Sequence, residues 1–191
     1  MTKKKLIMEN ALSLFSLEGY ESVGVAKIVK DSNVTKPTLY HYFGNKEGLL
    51  KSIYDEYFNK MITRLKDVPE FNQDVIKTIE QFTSAYIDFS KENPLFFWLS
   101  NHLRKGPIQS ESHLIVKEYH KAEKSLITQL ITKIANYHTN LKGHEEFLVL
   151  NYMNLVNGFI EINIINNQLD KVGNNEIHKL SKQFLYGIFS L

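Results

Sequence analysis

The sequence predicts an all-α protein in which a three-helix N-terminal head, containing a helix-turn-helix, precedes a helical bundle, about nine helices in all. Three observations predict it. Apolar residues recur at three- and four-residue spacing through every long segment. Only 9 glycines and 4 prolines interrupt 191 residues. Around residues 25–43, a short helix, a turn through Asn33 and Val34, and a second short helix follow one another at the spacing of a helix-turn-helix.

Ile7, Ala11, Leu14 and Phe15 predict a first helix from Lys3 to Leu17, stopped by Gly19. A second runs from Val25 to Ser32 on Ile28 and Val29, and Asn33 is suited to the left-handed conformation that ends a helix. Thr35 can cap a third helix, with Pro37 in the first turn, where backbone N–H groups lack partners within the helix. It ends near Phe43 and Gly44. From Asn45, the stripe Leu49, Leu50, Ile53, Tyr54, Tyr57, Phe58, Met61 and Leu65 predicts a long connecting helix. Beyond Pro69 come helices at Gln73–Lys91, from Pro94 through Phe96, Phe97 and Trp98, and at Glu111–Asn136, with breaks at Gly106-Pro107 and at 140–143. The last two run from His144 to Asn167 and from Asn174 to Phe189. Apolar residues cover more than one face of each: Phe147, Leu148, Leu155, Phe159 and Ile165 in the first, and Ile177, Leu180, Phe184, Leu185, Ile188 and Phe189 in the second. Such helices need a second surface to bury against, supplied by a second copy of the chain or by the centre of a larger monomeric bundle.

Composition narrows the function. With 43% hydrophobic residues the chain can bury a sizeable core. The absence of cysteine excludes disulfides, thiolate metal sites and cysteine nucleophiles, and suits a reducing compartment. The longest oily stretch, Gly158 to Ile165, is cut by Glu161 and Asn163 and falls short of the roughly 20 apolar residues of a membrane span, so no membrane partner is expected. Lys3, Lys4 and Lys5 precede Leu6 and Ile7, but Glu9, Asn10 and Ser13 break any signal-peptide core, and a cytoplasmic protein is expected. The net charge of +2 is uneven: residues 1–66 hold 11 Lys and Arg against 7 Asp and Glu, and residues 67–191 hold 12 against 14. A basic front on a near-neutral body suits a nucleic-acid-binding head.

Gly19-Tyr20, the helix Val25…Ile28, the run from Val34 through Thr35, Lys36, Pro37, Thr38, Leu39, Tyr40, His41 and Tyr42 to Phe43, and Asn45-Lys46-Glu47-Gly48-Leu49-Leu50 together resemble the DNA-binding module of the TetR family of transcriptional regulators. The resemblance covers residues 3–52. It implies a DNA-binding domain over residues 1–46 and an effector-binding and dimerisation domain over 47–191, in a homodimer joined by the two C-terminal helices. It also implies a ligand-responsive regulator, most simply a repressor, released from a palindromic operator on double-stranded DNA when a small-molecule effector changes the spacing of the two heads.

On that reading the third helix enters the major groove, with Lys36 and Pro37 near base edges and Tyr40 and Tyr42 on the backbone. Lys36 donates to guanine acceptors or to phosphate, Pro37 and Thr38 offer contacts to a thymine methyl, and His41 reaches a base or a phosphate. Thr35 caps this helix, Lys46 meets phosphate at the start of the fourth, and Lys3, Lys4 and Lys5 add salt-sensitive affinity or serve as a solubilising tail. Leu39, Phe43, Ile28 and Phe15 are expected in the core. The sequence departs from the family at Gly24, where a capping Thr or Ser is usual, at Ala26, where a polar contact is usual, and at Val29, where a small alanine is usual. Specificity is therefore expected from residues 36–42.

In the body, Phe82, Tyr86, Phe97, Trp98, His102, Tyr119, Tyr152, Asn154 and Glu161 mix aromatic and polar character and are the candidate effector-binding residues, with core packing as the alternative for each. An enzyme is not expected. The sequence has neither a His-Glu-x-x-His motif nor a phosphate-cradling glycine loop, and no nucleophile sits in a recognisable setting. His113 and His120 share a helix without a carboxylate cluster, so neither a metal nor a cofactor is expected. The rival reading is a helical interaction protein without sequence-specific DNA binding, which the lysines and tyrosines around the third helix argue against.

Overall fold

A computed structural model of the chain describes residues 2–186. Among these residues it contains nine α-helices and two short 3-10 turns, and no strand. The helices are α1 (Lys3–Glu18), α2 (Val25–Asp31), α3 (Lys36–Phe43), α4 (Lys46–Lys66), α5 (Val75–Glu92), α6 (Pro94–Lys105), α7 (Glu111–Tyr137), α8 (Glu145–Ile165) and α9 (Asn174–Tyr186). Ile188 and Phe189, expected to finish the last helix, lie outside the described residues.

The local chemistry follows the sequence closely in the head. Gly19, at φ 84°, ends α1, and Asn33, at φ 49°, takes the left-handed conformation after α2. Thr35 caps α3 by accepting the Thr38 N–H, whereas Gly24 at the start of α2 supplies no side-chain cap. One start is later than expected. Gln73 adopts φ 75°, which no α-helix continues through, and Asp74 accepts the Lys77 N–H at 3.0 Å, so α5 begins at Val75 instead of Gln73.

The chain divides into two compact units, one of residues 1–60 and 93–120 and the other of residues 61–92 and 121–191. This division by packing is a different cut from the division by function at residues 46 and 47. In the first unit α1, α2 and α3 pack together and α6 lies against α1, where the buried Ser16 hydroxyl donates to the Leu95 carbonyl at 3.0 Å. Its core holds Ile7, Ala11, Phe15, Ile28, Leu39, Leu49, Leu50, Ile53 and Phe96. In the second unit α9 packs on α5 and α8, and α8 on α5, around Ile79, Ile87, Phe89, Val149, Val156 and Ile160.

The α8 helix is apolar over a longer span than the stretch from Gly158 to Ile165. Within its 21 residues, Glu145–Ile165, an 18-residue window has a mean hydropathy of 1.3, and the helix is long and apolar enough to cross a membrane by length and composition alone. The short stretch from Gly158 did not reveal this, because the average over a longer window stays positive despite the Asn and Glu residues that break each apolar run. Only 28% of the window is buried within the chain, and Phe147, Leu150, Ile162 and Ile165 are each at least half exposed.

Candidate nucleic-acid interface

The third helix is two-faced because its two large apolar residues, Leu39 and Phe43, stand four apart and are buried, at 0% and 8% exposure. Lys36, Pro37, Tyr40, His41 and Tyr42 on the same helix are all exposed, Pro37 and His41 on the side away from the buried pair. The His41 and Tyr42 rings meet edge to face at 5.3 Å. Every residue expected to read or position DNA from α3 is thus presented on one short helix, except for the capping pair. The hydroxyls of Thr35 and Thr38 lie 2.9 Å apart, so the half-buried Thr38 engages its hydroxyl at the helix start. Lys3, Lys4 and Lys5 are exposed at the start of α1, with the Lys5 ammonium 3.9 Å from Glu9.

Lys46 has another occupation. Half-buried at the start of α4, its ammonium donates to the Tyr20 carbonyl at 3.0 Å and lies 4.1 Å from the centre of the Tyr20 ring. Around it the turn from α3 to α4 is tight. Gly44 adopts φ 77°, Asn45 caps α4 by accepting the Gly48 N–H at 2.7 Å, and a Cβ on Gly48 would lie 2.0 Å from the Phe43 carbonyl oxygen.

Tyr20 is 1% exposed and donates its hydroxyl to Glu111 at 3.0 Å. Burial, and then the hydrogen bond and charge of Glu111, raise its phenol well above the ordinary range, so it remains a donor. Next to it Glu21 accepts from the Ser112 hydroxyl at 2.8 Å and from the Ser112 N–H at 3.3 Å. Sequence reasoning did not find these pairs, since the partners stand 91 residues apart. The Gly19-Tyr20 match was the one signal at hand.

The candidate effector residues are distributed over both units. Phe82 and Tyr152 come together in the second, with ring centres 6.1 Å apart, and the Tyr152 and Thr83 hydroxyls share a buried hydrogen bond of 2.9 Å. Tyr86 is likewise buried on α5. In the first unit Phe97 is buried, the Trp98 and His102 rings lie 4.2 Å apart, and Tyr119 donates to Asp55 at 2.6 Å near the surface. Asn154 is exposed and Glu161 half-buried on α8. A cavity of about 270 Å³ in the second unit brings Phe82 together with residues not foreseen: Leu65, Val68, Phe71, Leu126 and Leu130, with Lys66 and Lys133 beside them. Lys133 pairs with Glu70 there at 3.0 Å.

Two titratable groups on α7, the half-buried His120 and the buried Glu123, are shifted by burial. Burial, then the charges of Arg104 and His113, hold His120 down at about 3, and burial pushes the Glu123 carboxyl up to about 8. Among the described residues no group of three or more metal-ligating side chains converges.

Residues 7–53 match the family described as bacterial regulatory proteins, tetR family. An uncharacterised HTH-type transcriptional regulator, YuxN of Bacillus subtilis, is 42% identical over 66 residues, covering 35% of this chain and 23% of that protein. The HTH-type transcriptional repressor ComR of Escherichia coli is 25% identical over 131 residues, 65% of this chain and 61% of ComR. The matched stretch therefore spans less than two thirds of either relative. Among solved structures, FadR of Bacillus subtilis in complex with stearoyl-CoA superposes with a TM-score of 0.74 at 17% identity, over 96% of this chain and 98% of FadR.

Proposed function

Because the chain belongs to the TetR family through the module at residues 7–53, we propose that it is a dimeric transcriptional regulator in the cytoplasm that releases its operator when a small molecule binds the body. The observation that carries this reading is the exposure of Lys36, Pro37, Tyr40 and His41 on α3, a helix anchored by the buried Leu39 and Phe43. Lys36 reads a base or holds a phosphate, and Tyr40, Tyr42 and His41 fix register on the backbone. Thr35, Pro37 and Thr38 shape the front of the reading helix, and Lys3, Lys4 and Lys5 add sequence-independent attraction. Lys46 acts by holding the Tyr20 carbonyl, and reaches phosphate only by releasing it.

The division of labour follows from the same premise. Residues 1–46 bind DNA, and residues 47–191 bind the effector and a second copy. Homodimerisation through the C-terminal helices is supported by α8, whose outward stripe runs through Phe147, Asn151, Asn154, Gly158, Ile162 and Ile165. The described part of α9 offers less, since its exposed residues are Asn174, Asn175, His178, Lys179, Gln183 and Tyr186. The effector reading rests on the cavity at Phe82, whose apolar lining and flanking Lys66 and Lys133 suit an amphipathic acid. The FadR structure, with its acyl-thioester ligand, points the same way. Tyr86, Tyr152, Phe97, Trp98, His102, Tyr119, Asn154 and Glu161 stay in this proposal as residues whose substitution would alter the response. Repression is the sign that ComR, named a repressor, supports.

The test is binding of the purified full chain to the DNA upstream of its own gene at two salt concentrations. The intact protein binds more tightly than it binds random DNA. Lys36→Ala weakens binding about tenfold and lowers the salt slope by about one, and Tyr42→Ala weakens it with little change in sequence preference. No preference of the intact protein for any genomic fragment would sink the reading.

A further inference from the structure

The turn between α1 and α2 is fastened from two sides. On one side, the first two residues of α7 hold it: Glu111 accepts the Tyr20 hydroxyl at 3.0 Å, and Ser112 donates both its hydroxyl, at 2.8 Å, and its N–H, at 3.3 Å, to Glu21. The Glu21 carboxylate thereby meets a helix start, where backbone N–H groups lack internal partners and negative charge is stabilised. On the other side, the Lys46 ammonium at the start of α4 holds the Tyr20 carbonyl and ring face. Phe15 meets the ring edge to face at 5.0 Å, so Tyr20 is gripped at its ring, its carbonyl and its hydroxyl.

This turn sets the entry of α2. The Val23 N–H returns to the Tyr20 carbonyl, Gly24 begins the helix without a side-chain cap, and α2, on which α3 packs, is only seven residues long. Lys27 donating to Glu18, and the Asn10 amide donating to the Asp31 carbonyl and the Ser32 hydroxyl, tie α2 to α1, and the grip on Tyr20 adds a hold at the entrance of α2, where Gly24 supplies no side-chain cap.

We propose that Tyr20 and Glu111 are positioning residues for DNA reading: α7 holds the α1–α2 turn, and through it α2 and α3, in the orientation that reads DNA. The proposal rests on the DNA-binding reading for one of its two readouts and stands apart from it in the other. It also gives the first turn of α7 a role in regulation, since displacing Glu111 loosens the reading helix without touching DNA.

The test compares the full chain with Tyr20→Phe, Glu111→Gln, Glu111→Ala and the Tyr20→Phe/Glu111→Ala pair. Tyr20→Phe keeps the ring, the carbonyl and the Lys46 contact, and removes only the hydroxyl. In hydrogen exchange, Tyr20→Phe and Glu111→Ala each speed the amides of residues 25–43 about fivefold, the pair no more than either alone, with α8 unchanged. Glu111→Gln, which retains an acceptor, restores most of the protection. In DNA binding, the same variants lower the ratio of operator to random-DNA affinity about tenfold while leaving random-DNA affinity as it was. Unchanged exchange at 25–43 in both single variants, or losses that add in the pair, overturns the proposal. If Glu111→Ala unfolds the whole head, Tyr20→Phe and Glu111→Gln decide. If the intact protein fails to prefer any DNA while the exchange pattern holds, the DNA reading falls and the positioning role remains.

Discussion

Glu123 is 1% exposed, and burial pushes its carboxyl up to about 8 from an ordinary 4.5. Between those two values the unfolded chain has lost a proton that the folded chain keeps. Its contribution to stability is therefore complete below 4.5 and drains away as pH rises through 8. Glu123→Gln cannot ionise and should remove this slope. Urea midpoints at pH 5 and pH 8 check it: the variant gains on the parent chain at the higher pH, and parallel midpoints would contradict the assignment. Single residues were also where sequence reasoning reached least far. That Leu39 and Phe43 point inward followed from their spacing. That Lys46 is held by Tyr20, and Tyr20 by Glu111, depends on contacts between segments far apart in the chain, which periodicity does not encode.

At the scale of elements, the junction of α3 and α4 shows how context overrides propensity. Alanine is the better helix former, by about 1 kcal/mol over glycine in an open helix. At position 48 the order reverses, because the added Cβ would lie 2.0 Å from the Phe43 carbonyl oxygen, a backbone atom that cannot swing aside. Gly48→Ala should destabilise the protein by about 2 kcal/mol, and Asn45→Ala, which removes the α4 cap, by about 1 kcal/mol. Thermal melts of the two variants check the ranking, and a more stable Gly48→Ala protein would refute it. The helices themselves were legible, since long apolar stripes, glycine stops and the Thr35 cap are written locally. The start of α5 was not, because nothing in the composition of residues 69–74 announces that Gln73 turns left-handed. Nor was the full apolar length of α8, whose polar residues hide it from a search for uninterrupted runs.

At the scale of the whole molecule, the fold class was readable from 191 residues and the module from 47 of them, residues 7–53. The effector site was the least legible part. Aromatic residues at helical spacing serve packing and ligand binding alike, and of the nine proposed only Phe82 lines the cavity of the second unit. The proposed pairing of two chains is tested on α8. Ile162→Arg places a charge on an exposed apolar stripe, leaves the buried side untouched, and should convert a dimer to a monomer in sedimentation or light scattering while helicity holds. Retention of the dimer would move the interface elsewhere.

If that open stripe on α8 pairs two chains as proposed, abundance becomes a determinant of survival. A native state completed only by pairing melts at a temperature that rises with protein concentration, and dilution alone weakens it. Where few copies are present, unpaired chains display Phe147, Ile162 and Ile165 to solvent and become substrates for proteases and chaperones. Turnover would then fall steeply once synthesis carries the chain concentration past its own dissociation constant. The amount of regulator would be buffered by the geometry of one helix face, before any operator is occupied.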